Sequence, residues 1–275
     1  FLSYETVNKY SSVPNILFSD WSDELSPLGL NRKPSSLDKK WFCKETNAIY
    51  SADLVFSLFP MYAWTMQEKY GRKVLCLEKN VVNTVWSKPF DLEHLIHNRQ
   101  AHHQLLFVGN SLYKRGALKL IRAFQRLKIA EPDISLHIIG MTQNELPAIE
   151  GLNCYGYLHK DVPTESDKYY NLLANSTCLI NPSALWGGYS SCIEAMYYGL
   201  PVVITPYDEF VGEFGQKIDF GFYCHDDDLE QQILQMLHTE DYVELCRAAH
   251  NRVKDYTWSN YVDAFLEELK SQNIL

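Results

Sequence analysis

No stretch of this chain comes near the roughly 20 consecutive apolar residues that a membrane-spanning helix needs, and no signal-peptide pattern is visible. No Cys-x-x-Cys pair occurs either. Seven cysteines stand apart at positions 43, 76, 154, 178, 192, 224 and 246. Their odd number, scatter and mostly apolar neighbours argue against a disulfide framework or a zinc site and read as buried thiols in a reducing compartment. Positive charge is scarce: 25 Lys and Arg stand against 34 Asp and Glu, a net charge of −9. That balance argues against a nucleic-acid surface and gives no global pull toward anionic lipid. The sequence also shows no internal repeat and no low-complexity segment. It opens on Phe1 rather than Met, so the natural N-terminus is expected upstream.

What the chain does have is apolar material. Of its 275 residues 46% are hydrophobic, enough for one large α/β domain or two smaller ones. Residues 13–78 alternate short apolar runs with helical patterns: strands near 13–18, 54–58 and 73–77, helices near 38–51 and 61–70. This alternation predicts parallel strands joined by helical crossovers. Three strands make a poor sheet alone, so further strands are expected ahead of residue 1. Residues 88–104 are polar and contain His94, His97, His102 and His103. With no Cys or carboxylate cluster beside them, they read as a linker rather than a metal site.

The next segment is clearer. Leu105-Leu106-Phe107-Val108 has the continuous apolar character of a central parallel strand. The helix after it puts Ala117, Leu120, Ile121, Phe124 and Leu127 on one stripe. Strands follow at 134–139, 153–157, 177–180 and 201–205, and helices near 227–238, 241–255 and 258–271.

Two strand-to-helix junctions carry possible chemistry. The first is Gly109-Asn110-Ser111-Leu112-Tyr113-Lys114-Arg115-Gly116. Cations at a helix N-terminus oppose its dipole; a bound anion such as phosphate reverses the sign. Two solvated loop charges are the alternative. The second junction is Trp186-Gly187-Gly188-Tyr189-Ser190-Ser191-Cys192-Ile193-Glu194. Paired glycines let a backbone approach a ligand and supply N–H donors. Trp186 is either an anchor for the loop or a wall for a ligand. Glu194 completes a Ser191-x-x-Glu194 capping-box spacing, which is its structural alternative. Both junctions lie at the carboxyl ends of predicted parallel strands, where open α/β sheets bind ligands. One basic loop and one glycine-rich loop with a carboxylate suit a nucleoside diphosphate and a sugar.

These residues resemble a family. Residues 105–205 are similar to the donor-binding domain of the retaining glycosyltransferases of family 4, the glycosyl transferases group 1, which have the two-domain GT-B fold. Val108-Gly109-Asn110 and Arg115-Gly116 match that family's first motif in spacing, and Glu194-Ala195-Met196, Gly199 and Pro201-Val202-Val203 match its second. Residues 80–84 look like its segment before the interdomain linker, and Thr257-Trp258 like the start of its last helix. The resemblance implies an α/β GT-B protein of two Rossmann-like domains, the N-terminal one incomplete by about 80–120 residues on typical domain sizes. The implied parts are a partial acceptor-side domain over 1–87, a linker over 88–104, a donor-binding domain over 105–256, and a helix over 257–275 returning to the first domain.

The same resemblance implies roles. Arg115 and Lys114 would neutralise the leaving diphosphate and Glu194 would take the ribose hydroxyls. Gly109 and Asn110 would bind the donor, and Gly187, Gly188 and Tyr189 would face the sugar, with Trp186 and Tyr189 as walls. Three departures stand out. Trp186 takes the place of a Glu that contacts the transferred sugar, Asn110 takes the place of an Arg, and Asp20 takes the place of a His near the reacting carbon. Asp20 also reads as a helix cap or loop carboxylate. No cofactor and no metal are expected, since the leaving phosphate itself helps deprotonate the acceptor. The expected partners are a nucleotide sugar and a glycan or lipid-linked acceptor, with no nucleic acid. The expected location is cytoplasmic, with peripheral membrane attachment through upstream sequence as a further expectation. The alternative is a non-catalytic GT-B subunit that binds sugar nucleotide or acceptor and supports a partner enzyme. A pyridoxal-phosphate phosphorylase has no matching lysine motif here.

Overall fold

A computed structural model describes residues 13–19, 34–77, 88–99, 103–183 and 189–275. The chain divides into two compact units, one of Phe1–Asn80, Asp208–Glu213 and Tyr256–Leu275, the other of Val81–Tyr207 and Phe214–Asp255.

In the described part of the first unit, strands β1 (Ile16–Ser19), β2 (Leu54–Ser57) and β3 (Leu75–Cys76) form a parallel sheet in the order β1-β2-β3. Helix α1 (Ser36–Ser51) begins two residues before the expected 38 because Ser35 and Asp38 form a capping box. The Ser35 N–H donates to the Asp38 carboxylate at 2.6 Å, and the Asp38 N–H to Ser35 Oγ at 3.3 Å. Helix α2 (Pro60–Tyr70) starts on a proline and stops at Gly71, whose φ of 61° is the left-handed conformation that glycine adopts without strain.

The second unit carries most of the remaining elements: α3 (Leu92–Arg99), β4 (Gln104–Val108), α4 (Lys114–Ala130), β5 (Ser135–Ile139), β6 (Leu152–Cys154), α5 (Pro163–Asn175), β7 (Cys178–Asn181), α6 (Tyr189–Tyr197), β8 (Val202–Ile204), β9 (Gly221–Tyr223), α8 (Leu229–His238) and α9 (Tyr242–Val253). Between β8 and β9 the chain forms α7 (Asp208–Phe214), which apart from Phe214 belongs to the first unit. Its strands are all parallel, in the order β6-β5-β4-β7-β8-β9. The first strand in sequence, β4, is central, and the order reverses between β4 and β7. Leu105, Leu106 and Phe107 are fully buried there, and the stripe of α4 packs with Leu105 and Phe107 in the unit's core.

Residues 92–99, inside the stretch read as a linker, form α3, and its Leu95, Ile96 and Arg99 are buried. Arg99 is fully buried. Its guanidinium donates to the carbonyls of Ala174 (Nε, 2.8 Å), Gly199 (Nη1, 2.7 Å), and Leu173 and Tyr198 (Nη2, 3.0 and 2.9 Å). These four carbonyls lie at the C-terminal ends of α5 and α6, where helices leave acceptors unpaired and favour positive charge.

The last helix, α10 (Trp258–Ser271), belongs to the first unit. Phe265 packs on Phe56 with ring centroids 4.8 Å apart, Tyr261 meets Phe18 edge-on at 5.9 Å, and Leu269 joins the cluster of Phe56 and Leu75. Among the described residues no helix is long and apolar enough to cross a membrane.

Candidate functional site at the strand-order reversal

The loops after β4 and β7 leave the same edge of the second sheet on either side of the reversal, the place where open α/β sheets form a ligand crevice. After β4 the backbone is held tightly. The Gly109 N–H donates to Ile139 O at 2.9 Å, and a Cβ on Gly109 would lie 2.9 Å from the Phe107 ring. Asn110 serves the turn: its Oδ1 accepts from the Leu112 N–H at 3.0 Å and its carbonyl from the Tyr113 N–H at 2.9 Å. A short 3-10 turn over Ser111–Tyr113 then leads into α4, and no side chain caps that helix.

Glu145, in the loop after β5, ties the β4 loop down. Its carboxylate accepts from the Ser111 hydroxyl at 2.6 Å and from the Thr142 N–H and hydroxyl at 2.8 Å each. The Ser111 bond first, then the two from Thr142, hold its pKa down at about 2, with a further contribution from the Lys114 charge.

The two neighbouring cations of the first junction thus part company. The Lys114 charge bears on Glu145, while Arg115 lines a cavity of about 180 Å³ with Tyr113, Gly116, Lys119, Ser183 and Asp226. Lys119 follows Arg115 by four residues, one helical turn, and shares its face. Its ammonium reaches Pro182 O at 3.3 Å and pairs closely with Asp226. Bonding to Lys119, then its charge, then that of Arg115, hold the Asp226 carboxyl below its usual range. Ser183 is 8% exposed, and its hydroxyl has no hydrogen-bond partner among the described residues.

On the β7 side, α6 begins at Tyr189. Ser191 therefore lies inside the helix, and the capping-box reading of Ser191 and Glu194 is corrected: its spacing is right, but the helix starts two residues too early for it. Glu194 is 4% exposed. Its Oε1 accepts from Lys160 at 2.6 Å and from the Tyr170 hydroxyl at 3.4 Å, and its Oε2 from Lys160 at 2.7 Å and the Tyr169 hydroxyl at 2.6 Å. The Lys160 ammonium also lies 4.4 Å from the Tyr169 ring centre. Burial first, then the Glu194 charge, push the Tyr169 hydroxyl well above its ordinary pKa. Tyr189, expected to face the sugar, is 4% exposed, and its ring lies 6.2 Å from that of Phe214.

Asp20, Trp186, Gly187, Gly188 and the segment 80–84 lie outside the described residues. His94 contacts Asn98 within α3, while His103 pairs with Glu131. Among the described residues no group of three or more His, Cys, Asp or Glu is placed to hold a metal ion. Sequence reading missed Lys119, Ser183, Asp226, Lys160, Tyr169 and Tyr170. The Arg115–Lys119 spacing was a usable signal. Nothing local pointed from Glu194 to Lys160, 34 residues earlier.

Residues 96–255 match the family described as glycosyl transferases group 1, more than half of the chain. The chain belongs to this family. No curated protein matches it in sequence. Among solved structures it is similar to Anabaena Alr3699/HepE in complex with UDP and glucose, at 17% identity and a TM-score of 0.66, covering 94% of this chain and 71% of that one. It is similar to the sucrose-phosphate synthase of Thermosynechococcus elongatus at 15% identity and a TM-score of 0.65, covering 93% and 67%. It is also similar to a variant of S. aureus TarM in complex with fondaparinux, alpha-GlcNAc-glycerol and UDP, at 14% identity and a TM-score of 0.63, covering 92% and 49%. The chain spans about half the length of TarM. Identities this low speak for the fold, which is α/β with parallel sheets and similar in structure to GT-B glycosyltransferases. Both motifs quoted from the sequence fall within the matched residues, one on the loop after β4 and one on α6.

Proposed function

We propose that this group 1 family member is a glycosyltransferase. It would move a sugar from a nucleoside diphosphate sugar to a glycan or lipid-linked acceptor, with retention of anomeric configuration. The carrying observation is the cavity at the strand-order reversal, lined by Arg115 and Gly116 in the first turn of α4. In the proposed step the bond between the anomeric carbon and the phosphate oxygen breaks, and its electron pair leaves with the diphosphate. The acceptor hydroxyl oxygen bonds to that carbon on the same face, and its proton passes to the departing phosphate. Charge develops on the diphosphate as the bond breaks. The positive end of the α4 dipole and the Arg115 guanidinium stabilise it without reorganising. Lys114 adds charge from the same helix start, and no metal is needed in this scheme. Glu194 takes the ribose hydroxyls, which requires Lys160 to give up at least one carboxylate oxygen on nucleotide binding. The seven free thiols support a cytoplasmic location, and peripheral attachment to the membrane's inner face belongs to the same proposal.

UDP is the first nucleotide to test, because the HepE and TarM structures contain it. Replacing Arg115 with Ala should weaken UDP binding about 10- to 100-fold, since hydrogen bonds to charged groups contribute about 1.5–3 kcal/mol. Uridine binding should hardly change. Isothermal titration of both ligands decides it: equal losses would remove Arg115 from the phosphate. A second reading, the non-catalytic subunit, has one observation in its favour. A carboxylate offers about four lone-pair sites, and Lys160, Tyr169 and Tyr170 engage both oxygens of Glu194. UDP release from UDP-sugars in the presence of acceptor separates the two readings.

A further inference from the structure

The cavity beside Arg115 contains a feature that the family motifs do not explain. Ser183 follows β7, and its N–H donates to Asn181 Oδ1 at 3.2 Å, which fixes the turn. Its hydroxyl is turned onto the first turn of α4. A Cβ on Gly116 would sit 2.1 Å from Ser183 Oγ, so the absence of a side chain at Gly116 makes this approach possible. Buried hydroxyls are normally paired, and this one has no partner among the described residues. Lys119 lies on the same wall, held against Pro182 O and the Asp226 carboxylate. Asp226 is largely exposed, its side chain 76% accessible, so it can swing into water at little cost.

We infer that Ser183 and Lys119 form the inner half of a phosphate subsite, in which the Ser183 hydroxyl and the Lys119 ammonium hold the diphosphate group of the nucleotide together with Arg115. The inventory of groups favours an anion over a neutral ligand. The cavity wall offers two cations, the N-terminal turn of a 17-residue helix and the Ser183 hydroxyl, which reaches the cavity by turning away from Gly116, against one exposed carboxylate. Its size fits the same assignment. At about 180 Å³ it is smaller than the roughly 300 Å³ at which pockets for whole small-molecule ligands begin. It can therefore take a phosphate-sized part of a ligand, with the rest outside. On binding, Lys119 exchanges the Asp226 carboxylate for a phosphate oxygen, and Asp226 is a competitor that the ligand displaces.

This inference rests on the donor-site reading above, and the test separates the two. Inorganic pyrophosphate is the probe, titrated calorimetrically at low ionic strength into the whole chain and into Ser183→Ala, Asp226→Asn and Arg115→Ala. The inference expects Ser183→Ala to weaken pyrophosphate about fivefold or more. The melting temperature of the ligand-free variant should hold or rise, because an unpaired buried hydroxyl is removed. It expects Asp226→Asn to tighten binding by a similar factor, because the competing charge is gone. If Arg115→Ala weakens binding while Ser183→Ala and Asp226→Asn leave it unchanged, the inference is overturned and the donor site stands. If wild type and all three variants fail to bind pyrophosphate, both readings fall together. Should Ser183→Ala melt lower, Asp226→Asn alone decides, and unchanged affinity in that variant overturns the inference.

Discussion

Arg99 and Arg115 sit at opposite kinds of helix end within one unit. Arg99 is fully buried and spends its guanidinium on four carbonyls at the C-terminal ends of α5 and α6. Arg115 is exposed at the N-terminal end of α4, which no side chain caps. The dipole of a helix favours a cation at the first place and opposes it at the second. A charge on the favourable end, surrounded by acceptors, makes structure. On the unfavourable end a charge adds nothing to the helix, and a bound anion would reverse that. The difference separates an arginine that the fold uses from one that the fold leaves available for the phosphate role proposed above.

The largest effect that could break this comparison is at Arg99. Arg99→Met should cost about 3–5 kcal/mol, the range for breaking a buried, hydrogen-bonded charge site, because four carbonyls lose their donor. At about 2–4 °C per kcal/mol for a chain of this size, the melting temperature should fall by about 10 °C. Arg99→Lys should recover little, since three ammonium donors cannot span four carbonyls in the geometry of the planar fork. Arg115→Lys should leave the melting temperature within a degree or two. Equal melting temperatures for the two Lys variants would show that the contrast between these helix ends carries no stability.

A smaller effect is expected at the buried pair. Glu194→Gln leaves the Lys160 ammonium facing a neutral amide. Stability should fall by about 2 kcal/mol, below the usual cost of breaking a buried pair, because the Lys160 side chain is 27% exposed. From the sequence alone, the same substitution would be expected to leave folding intact. Lys160→Met sharpens the point. If Glu194 takes ribose hydroxyls, this variant loses stability yet binds UDP as well as wild type or better, since the carboxylate is released. A parallel loss of stability and UDP affinity would make the pair a structural strut and remove Glu194 from the donor site.

These residues also show how far the sequence could be read. The β4–α4 unit was legible because each element carries its own period: a continuous apolar run, then a stripe at helical spacing. Helix α3 was not legible, because polar residues and two histidines dilute its apolar face and its key contact is a buried arginine. Strand β9 was missed for a related reason. It spans three residues and opens on Gly221, where a Cβ would lie 2.0 Å from Val202 O. Close approach to β8, rather than any β-forming side chain, selects the residue there. The Ser191-x-x-Glu194 spacing misled because a local pattern coincided with a helix that starts earlier. Lys160, Tyr169 and Ser183 reach the site through tertiary contacts, which leave no periodic trace in the chain.

The smallest effect concerns Glu145, which braces the loop ahead of Arg115. In the folded protein its pKa is about 2, against an ordinary value of 4.5. A depressed carboxyl stabilises the fold above its unfolded pKa, and this contribution is lost as pH falls through the folded value. The Glu145 contribution should therefore be constant from pH 7 down to about 5 and fade between 4.5 and 2. Glu145→Gln removes it, because an amide has one carbonyl oxygen and cannot accept from Ser111 on one side and Thr142 on the other. The urea midpoints of wild type and Glu145→Gln should thus differ by a fixed amount at pH 7 and 5 and converge as the pH falls through 4 and 3. Since hydrogen bonds from Ser111 and Thr142 outrank the Lys114 charge as the cause, added salt should leave the gap at pH 7 nearly unchanged. A gap that closes with salt would mean that Lys114 supplies the effect. It would also move Lys114 from the phosphate to Glu145, leaving Arg115 with less help at the helix start than the proposed mechanism assigns to it.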